Sequence, residues 1–352
     1  MIRTLWIGLA TAVSLVFAAG AQAKTSLFTD DAPLKMVITA PFPALAHAAP
    51  TSKNPYPASL IVTDGANAPE TLPITLHARG LTRRTDFCSF PPLSLGFDKE
   101  TRHGTIFQGQ HKLKLVTYCK LGADYEQRVV LEYLAYKMYN LITPMSFRAR
   151  AAEVTYRTSP TDAGVTRFGF LIEDISDVAA RNDRGELKAA AHQLTPARLD
   201  AHAAGEATLF EFLIGNLDWE LLASTPGTDC CHNGRLIAAP KANAASATDV
   251  VPVPYDYDFS GLVDSPYAGP PEGIPVSRVT DRYYRGYCVS KSLMPGVIDE
   301  YRTHRADMAA LIANEPHLTG SYRSKAGRFV DSFFALLDDP QRVQREIVNH
   351  CR

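Results

Sequence analysis

The sequence predicts an α+β chain of two lobes: a β-rich lobe carrying a single helix, then a mainly helical lobe. Two observations predict this. Short β-forming and alternating runs fill the chain up to residue 173, with one helical pattern among them. After residue 174 the strong patterns are mostly helical, and the C-terminal hundred residues are mostly of that kind. The expected division is therefore 24–173 and 174–352. With 352 residues, 46% hydrophobic and 21% charged, the chain can build one large core or two. The net charge of −1 and the lack of any basic run give no electrostatic footprint for nucleic acid.

Residues 1–23 read as a secretory signal. Arg3 is the positive start, Leu5 to Ala19 the apolar stretch, and Ala21-Gln22-Ala23 a small-residue cleavage site. The apolar stretch is short of the roughly 20 residues a membrane span needs, and no later stretch qualifies. A secreted or periplasmic protein with no stable span after cleavage is the expectation. The six cysteines, Cys88, Cys119, Cys230, Cys231, Cys288 and Cys351, suit an oxidising compartment. Cys88 with Cys119 is one expected disulfide. Adjacent cysteines make an awkward mutual pair, so Cys230 and Cys231 are expected to bond Cys288 and Cys351. A zinc site built on Cys230, Cys231 and His232 is the alternative, weakened by the absence of C-x-x-C spacing.

Each element then follows in order. Leu34 to Thr39, Ser59 to Thr63, Leu72 to Ala78, Leu93 to Phe97 and Leu113 to Tyr118 read as strands. Arg79 to Arg84 is a basic turn between two of them. Lys112 and Lys114 fall on one face of the last strand, because side chains alternate along a strand. Tyr125 to Leu141 is the first strong helix, with Asp124 as its expected cap and Glu126 and Glu132 on it. Phe147 to Arg157 and Thr166 to Glu173 form an expected hairpin around the Ser/Pro/Asp/Gly-bearing loop Thr158 to Gly164. Thr195-Pro196 opens a helix that ends at Gly215-Asn216. Met294 to Ala313, Ala326 to Leu337 and Arg342 to Asn349 are three further expected helices.

The chemistry concentrates in Val250-Val251-Pro252-Val253-Pro254-Tyr255-Asp256-Tyr257-Asp258-Phe259-Ser260-Gly261. If the apolar run is a strand, its period of two puts Asp256 and Asp258 on one face at the strand end. Two converging carboxylates repel unless a proton or a cation lies between them. Mg²⁺ or Mn²⁺ is the expected partner, since a hard divalent ion takes a few carboxylates and fills its remaining positions with phosphate oxygens and water. Calcium at the same pair is a weaker alternative. Ser260 lacks the G-x-S-x-G setting of a hydrolase nucleophile.

Strands, a basic strand, one helix and a hairpin, then an acid-bearing loop, a second hairpin ending in paired acids, and helices: this is the element order of a two-lobed protein-kinase-like fold. Phosphoryl transfer needs neutralised phosphate charge and a positioned acceptor hydroxyl. Lys114, assisted by Lys112 and fixed by Glu126 or Glu132, is the candidate holder of ATP phosphates. Asp218 is the candidate acceptor of the hydroxyl proton. Asn233, Asp256 and Asp258 are the candidate metal ligands.

Several short motifs carry a resemblance. Arg79-Gly80, Phe90-Pro91-Pro92-Leu93, Glu132-Tyr133-Leu134-Ala135-Tyr136, Ile214-Gly215-Asn216-Leu217-Asp218-Trp219 and Pro254-Tyr255-Asp256-Tyr257-Asp258 resemble the spore-coat-protein-H (CotH) type of secreted atypical kinase. Cys-Cys-His-Asn at 230–233 and Pro-Tyr-Asp-Tyr-Asp-Phe-Ser-Gly at 254–261 look closer still to a group of uncharacterised exported bacterial proteins. The resemblance spans roughly residues 75 to 290. It implies a kinase fold that uses ATP and Mg²⁺ on secreted protein substrates, with Asp218 as catalytic acid residue and Asp256 or Asp258 on the metal. The chain departs from that pattern in having no glycine-rich phosphate loop, an insertion from Leu221 to Cys231, and Ser94 and Gly96 where a basic residue is common. Those departures motivate a second expectation: a non-catalytic binding or structural protein of the cell envelope.

Overall fold

The computed structural model describes residues 27–49, 51–80, 82–84, 87–224 and 229–352. The secretory signal expected at 1–23 lies outside these residues. Seven strands build the first part: β1 (Leu34–Thr39), β2 (Tyr56–Asp64), β3 (Glu70–Ala78), β4 (Leu93–Gly96), β5 (Lys112–Val116), β6 (Ala149–Arg157) and β7 (Val165–Ile172). Short helices α1 (Phe42–Ala46) and α2 (Lys99–Arg102) interrupt them, and the long α3 (Ala123–Ile142) precedes β6. The strands close into a barrel in the order β1-β2-β3-β4-β5-β7-β6. All pairings are antiparallel except the closing one, β1 with β6, in which Leu34 faces Ala152 and Thr39 faces Arg157.

This closed barrel corrects the expected two-lobed kinase-like fold: the chain is α+β, but its strands wrap into a barrel rather than standing as an open β lobe. The physical reason is the β1–β6 pairing. Alternation along a strand reads the same in an open sheet and a closed one, so the sequence carries no local sign of closure.

Alternation does fill the barrel. Leu34, Met36 and Ile38 of β1, Leu72, Ile74 and Leu76 of β3, and Ala152, Val154 and Tyr156 of β6 all belong to one buried interior cluster. Burying a side chain of this size stabilises by about 1.5–3 kcal/mol. Gly169 of β7 belongs to this closure, since a Cβ there would come within 2.8 Å of the Val116 carbonyl oxygen on the neighbouring strand. The opposite faces of β5, β6 and β7 present Val116, Ala149, Ala151, Phe168, Phe170 and Ile172 to a second core, shared with α3 and the rest of the chain.

The second part contains α4 (Ile175–Ala180), β8 (Gly185–Glu186), α5 (Ala201–Ile214), β9 (Gly234–Ala238), β10 (Val251–Pro254), α6 (Met294–Thr303), α7 (Arg305–Asn314), α8 (Gly320–Leu337) and α9 (Pro340–Val343). Three expectations shift here. The helix expected from Pro196 is only a 3-10 turn, and α5 starts at Ala201 under an Asp200 cap whose carboxylate accepts from Ala203 N at 2.9 Å. The single helix expected over Met294 to Ala313 is two, broken at His304. Asp124 lies inside α3, whose cap position is Gly122. Strands β8, β9 and β10 form a separate sheet in the order β10-β9-β8.

Candidate functional site

Three loops meet at one end of the β9–β10 hairpin. The hairpin is antiparallel with Gly234 opposite Pro254, so Asn233 before β9 and Asp256 after β10 emerge at the same end. The third loop follows α5. Gly215 ends that helix in the left-handed region at φ 64°, which turns the chain sharply into Asn216-Leu217-Asp218. Arg285 then clamps this loop by donating from Nη1 to the Leu217 and Trp219 carbonyls at 2.7 and 2.9 Å.

Hydrogen bonds tie the three loops together. Asn233 Nδ2 donates to the Asp218 carbonyl at 2.6 Å and to Asp218 Oδ2 at 3.0 Å. His232 Nε2 lies 2.7 Å from Asp218 Oδ1. Tyr255 N donates to the Asn233 carbonyl, and Asp256 N donates to the Tyr136 hydroxyl of α3, at 3.0 and 2.9 Å. Asn233 and Asp256 both hold positive φ, 51° and 69°. A non-glycine residue in that region is held there by its surroundings, and such positions concentrate at functional sites.

The strand-period argument for the paired acids fails in detail, because β10 stops at Pro254 and both carboxylates belong to the turn beyond it. The turn still brings them together. Burial and then the charge of Asp256 push the Asp258 carboxyl up to about 7, with Asp218 acting in the same direction and Arg83 and the Tyr267 hydroxyl opposing. Glu132 of α3 joins them: burial, then Asp258 and Asp256, raise it well above the usual carboxylate range. Arg83 and Arg79 oppose that rise. Several polar atoms here are buried and lack a hydrogen-bond partner among the described residues, namely Glu132 Oε1, Arg83 Nε and Arg79 Nη1.

Lys114 approaches from the outer face of β5. Its ammonium lies 3.7 Å from the centre of the Tyr255 ring. Burial and then the Arg79 cation lower it well below the usual lysine range, against Asp256 and Asp174. Arg235 of β9 lies 5.1 Å from the same ring. Two cavities share Glu186 and Arg235 as lining residues. One of about 260 Å³ is bordered by Lys112, Lys114, Glu173 and Asp174. The other, of about 440 Å³, is bordered by His232, Asn233, Tyr255 and the Cys230–Cys231 pair. Asp218 instead borders a third, of about 160 Å³, with Leu217, Phe259, Pro270 and Pro271.

The structure thus brings Asp218, Asn233, Asp256, Asp258, Lys114 and Glu132 into one region. It does not bring Glu126 there, since that carboxylate accepts from Phe168 N of β7 at 2.6 Å. Among the described residues no ion pair joins Lys114 to either glutamate: Glu132 feels the charges of Arg83 and Arg79, while Lys114 lies over Tyr255 and feels those of Arg79 and Asp256. Lys112 is exposed at the rim of its cavity. Sequence reasoning missed Arg83, Arg235 and Tyr255 as members of the site, and took His232 only as a zinc ligand. Arg83 stood in the basic turn that was noted, yet nothing local tells an exposed turn arginine from a buried one.

All six cysteines are paired, as Cys88–Cys119, Cys230–Cys231 and Cys288–Cys351. The first matches expectation, and the vicinal pair corrects it. Arg352 N donates to the Gly286 carbonyl and Cys288 N to the Arg352 carbonyl, which lays the C-terminus beside residues 286–288 and joins Cys351 to Cys288. Cys230 and Cys231 are left to each other, and their sulfurs are unavailable to a zinc ion. Three disulfides are consistent with an oxidising environment. Among the described residues no helix is long and apolar enough to cross a membrane.

An all-oxygen donor set, an orphaned Glu132 oxygen and the crowded Asp256/Asp258 pair fit a hard divalent cation. Asn233 spends its amide nitrogen on Asp218, so its carbonyl oxygen is the atom available to such an ion. Compared with known proteins, the chain matches no family model and no curated sequence. Functional class therefore has to be argued from the site.

Proposed function

We propose that the protein is a secreted or periplasmic phosphotransferase that moves the terminal phosphoryl group of a nucleoside triphosphate, ATP in the first instance, onto a hydroxyl of a protein or another envelope substrate. The reading rests on the site and not on the fold. One observation carries it: Asp218, Asn233, Asp256 and Asp258 meet at one hairpin end, beside the cations of Lys114, Arg79, Arg235 and Arg83. A CotH-type relationship is part of the same proposal, supported by the short motifs alone.

In this reading Lys114 and Arg235 bind phosphate oxygens in the shared cavities, and Tyr255 holds both cations in place. Asn233, Asp256 and Asp258 would hold Mg²⁺ or Mn²⁺, which supplies charge neutralisation on the phosphates. The acceptor oxygen forms a bond to the terminal phosphorus while the bond to the bridging oxygen breaks and the nucleoside diphosphate leaves. Asp218 takes the hydroxyl proton, its carboxylate oriented by His232 and Asn233. The test incubates oxidised protein with labelled ATP and Mg²⁺ or Mn²⁺ and reads autophosphorylation. Label is expected in the wild type and should fall by roughly 10²–10³-fold in Asp258→Ala, the range for losing one preorganised electrostatic group. No label, or equal label in the variant, rejects catalysis.

A second reading, a nucleotide-binding envelope protein without turnover, draws on one observation. Both oxygens of Asp218 are already engaged, Oδ1 by His232 and Oδ2 by Asn233. Metal-dependent ATP binding without label transfer is the outcome that favours it.

A further inference from the structure

At the far end of α5 from Asp218, three side chains converge that the phosphotransfer site does not use. His202 and Glu206 are four residues apart on α5 and so share a face of the helix. Glu300 reaches them from α6. His202 Nε2 lies 2.9 Å from Glu300 Oε1, and His202 Nδ1 lies 3.8 Å from Glu206 Oε1. One ligand atom from each residue falls within 4.8 Å of the others. We propose that His202, Glu206 and Glu300 form a binding site for a divalent transition-metal ion of the Zn²⁺ class, clipping α5 to α6.

The donor chemistry points to that class. One imidazole nitrogen and two carboxylate oxygens suit zinc, cobalt or nickel better than the hard ions expected at the other site. Metal–ligand bonds of about 2.0–2.2 Å place tetrahedral ligand atoms about 3.4 Å apart, which small side-chain movements reach from the observed spacing. His202 and Glu300 are each 44% exposed and free to make those movements. Glu206 is fixed, with its side chain only 7% exposed. It faces His202, Glu300, Asp200 and the hydroxyl of Thr143 at the end of α3. A single imidazolium balances only one of the two carboxylates. Two carboxyl groups thus face one imidazole around a nearly buried group, and a dication bound there would neutralise both. The open side leaves a fourth position for water.

The separation along α5 to Gly215 is about 20 Å from His202 and about 14 Å from Glu206 at 1.5 Å per residue, so the two sites can be probed apart. The experiment titrates Co²⁺ into tag-free, metal-stripped full-length protein and follows visible absorption, with Zn²⁺ as competitor. One equivalent with tetrahedral-type bands, displaced by Zn²⁺, is expected in the wild type and in Asp256→Asn. Glu300→Gln alters a half-exposed residue and should still fold. It should weaken binding by at least the roughly 10- to 100-fold that loss of even an outer partner costs. Absence of the bands in the wild type, or equal binding in Glu300→Gln, overturns the proposal and leaves a histidine–carboxylate ion pair only.

Discussion

Two arginines show how differently this chain treats buried charge. Arg150, on the interior face of β6, is 1% exposed and fully employed. Its Nε donates to the Ala32 carbonyl at 3.0 Å, its Nη1 to the Leu27 carbonyl at 2.9 Å, and its Nη2 pairs with Asp64. Arg83, 7% exposed, bonds the Thr117 carbonyl through Nη2 but leaves Nε without a partner among the described residues. Around it stand the carboxyl groups of Glu132, Asp258 and Asp256, with Arg79 also acting on Glu132. The barrel charge is closed within the protein. The cleft charge is open, and an open buried charge is maintained only at a cost to stability. The difference teaches which buried polar group holds the fold and which one waits for a ligand.

The largest expected effect tests the closed side. Arg150→Met removes the partner of Asp64 and of two carbonyls, and should lower unfolding stability by about 3–5 kcal/mol in chemical denaturation. A loss under about 1 kcal/mol would erase the contrast with the cleft.

The cleft should respond with the opposite sign. Asp258 titrates near 3.9 in an unfolded chain and at about 7 here, so the folded state holds its proton more tightly. Its contribution is fully present below pH about 4 and is lost as pH rises through about 7. Asp258→Asn keeps an acceptor for the Tyr267 hydroxyl and carries no charge. In metal-free buffer its stability advantage over wild type should therefore grow from pH 4 to pH 8, to on the order of 2–4 kcal/mol. A flat difference across that range, measured by urea unfolding, would show that the cleft charge is already neutralised.

Much of this was legible in the sequence, for local reasons. The strand runs, α3 and the end of α5 follow from alternation, helical spacing and Gly215. The proximity of Asp218, Asn233 and the Asp256/Asp258 pair was inferred from element order. The barrel was not legible, because it depends on Leu34 meeting Ala152 across more than half the chain that precedes it. Nor was the Cys230–Cys231 bond, which follows from where the C-terminus docks. Nothing in the sequence marks Arg83 or Arg235 as part of the site, since burial is a tertiary property. His304 carries no helix-breaking signal, so the division between α6 and α7 was invisible.

The clustered carboxylates of the cleft are, on this reading, built to be met by a cation bound with phosphate. The most direct measurement is the thermal midpoint at pH 8 with and without Mg²⁺ and ATP, for wild type and Asp258→Asn. Ligand at about 100 times its dissociation constant should stabilise the wild type by about 2.7 kcal/mol and leave the variant unmoved. No rise in the wild type, or the same rise in both proteins, would contradict the account.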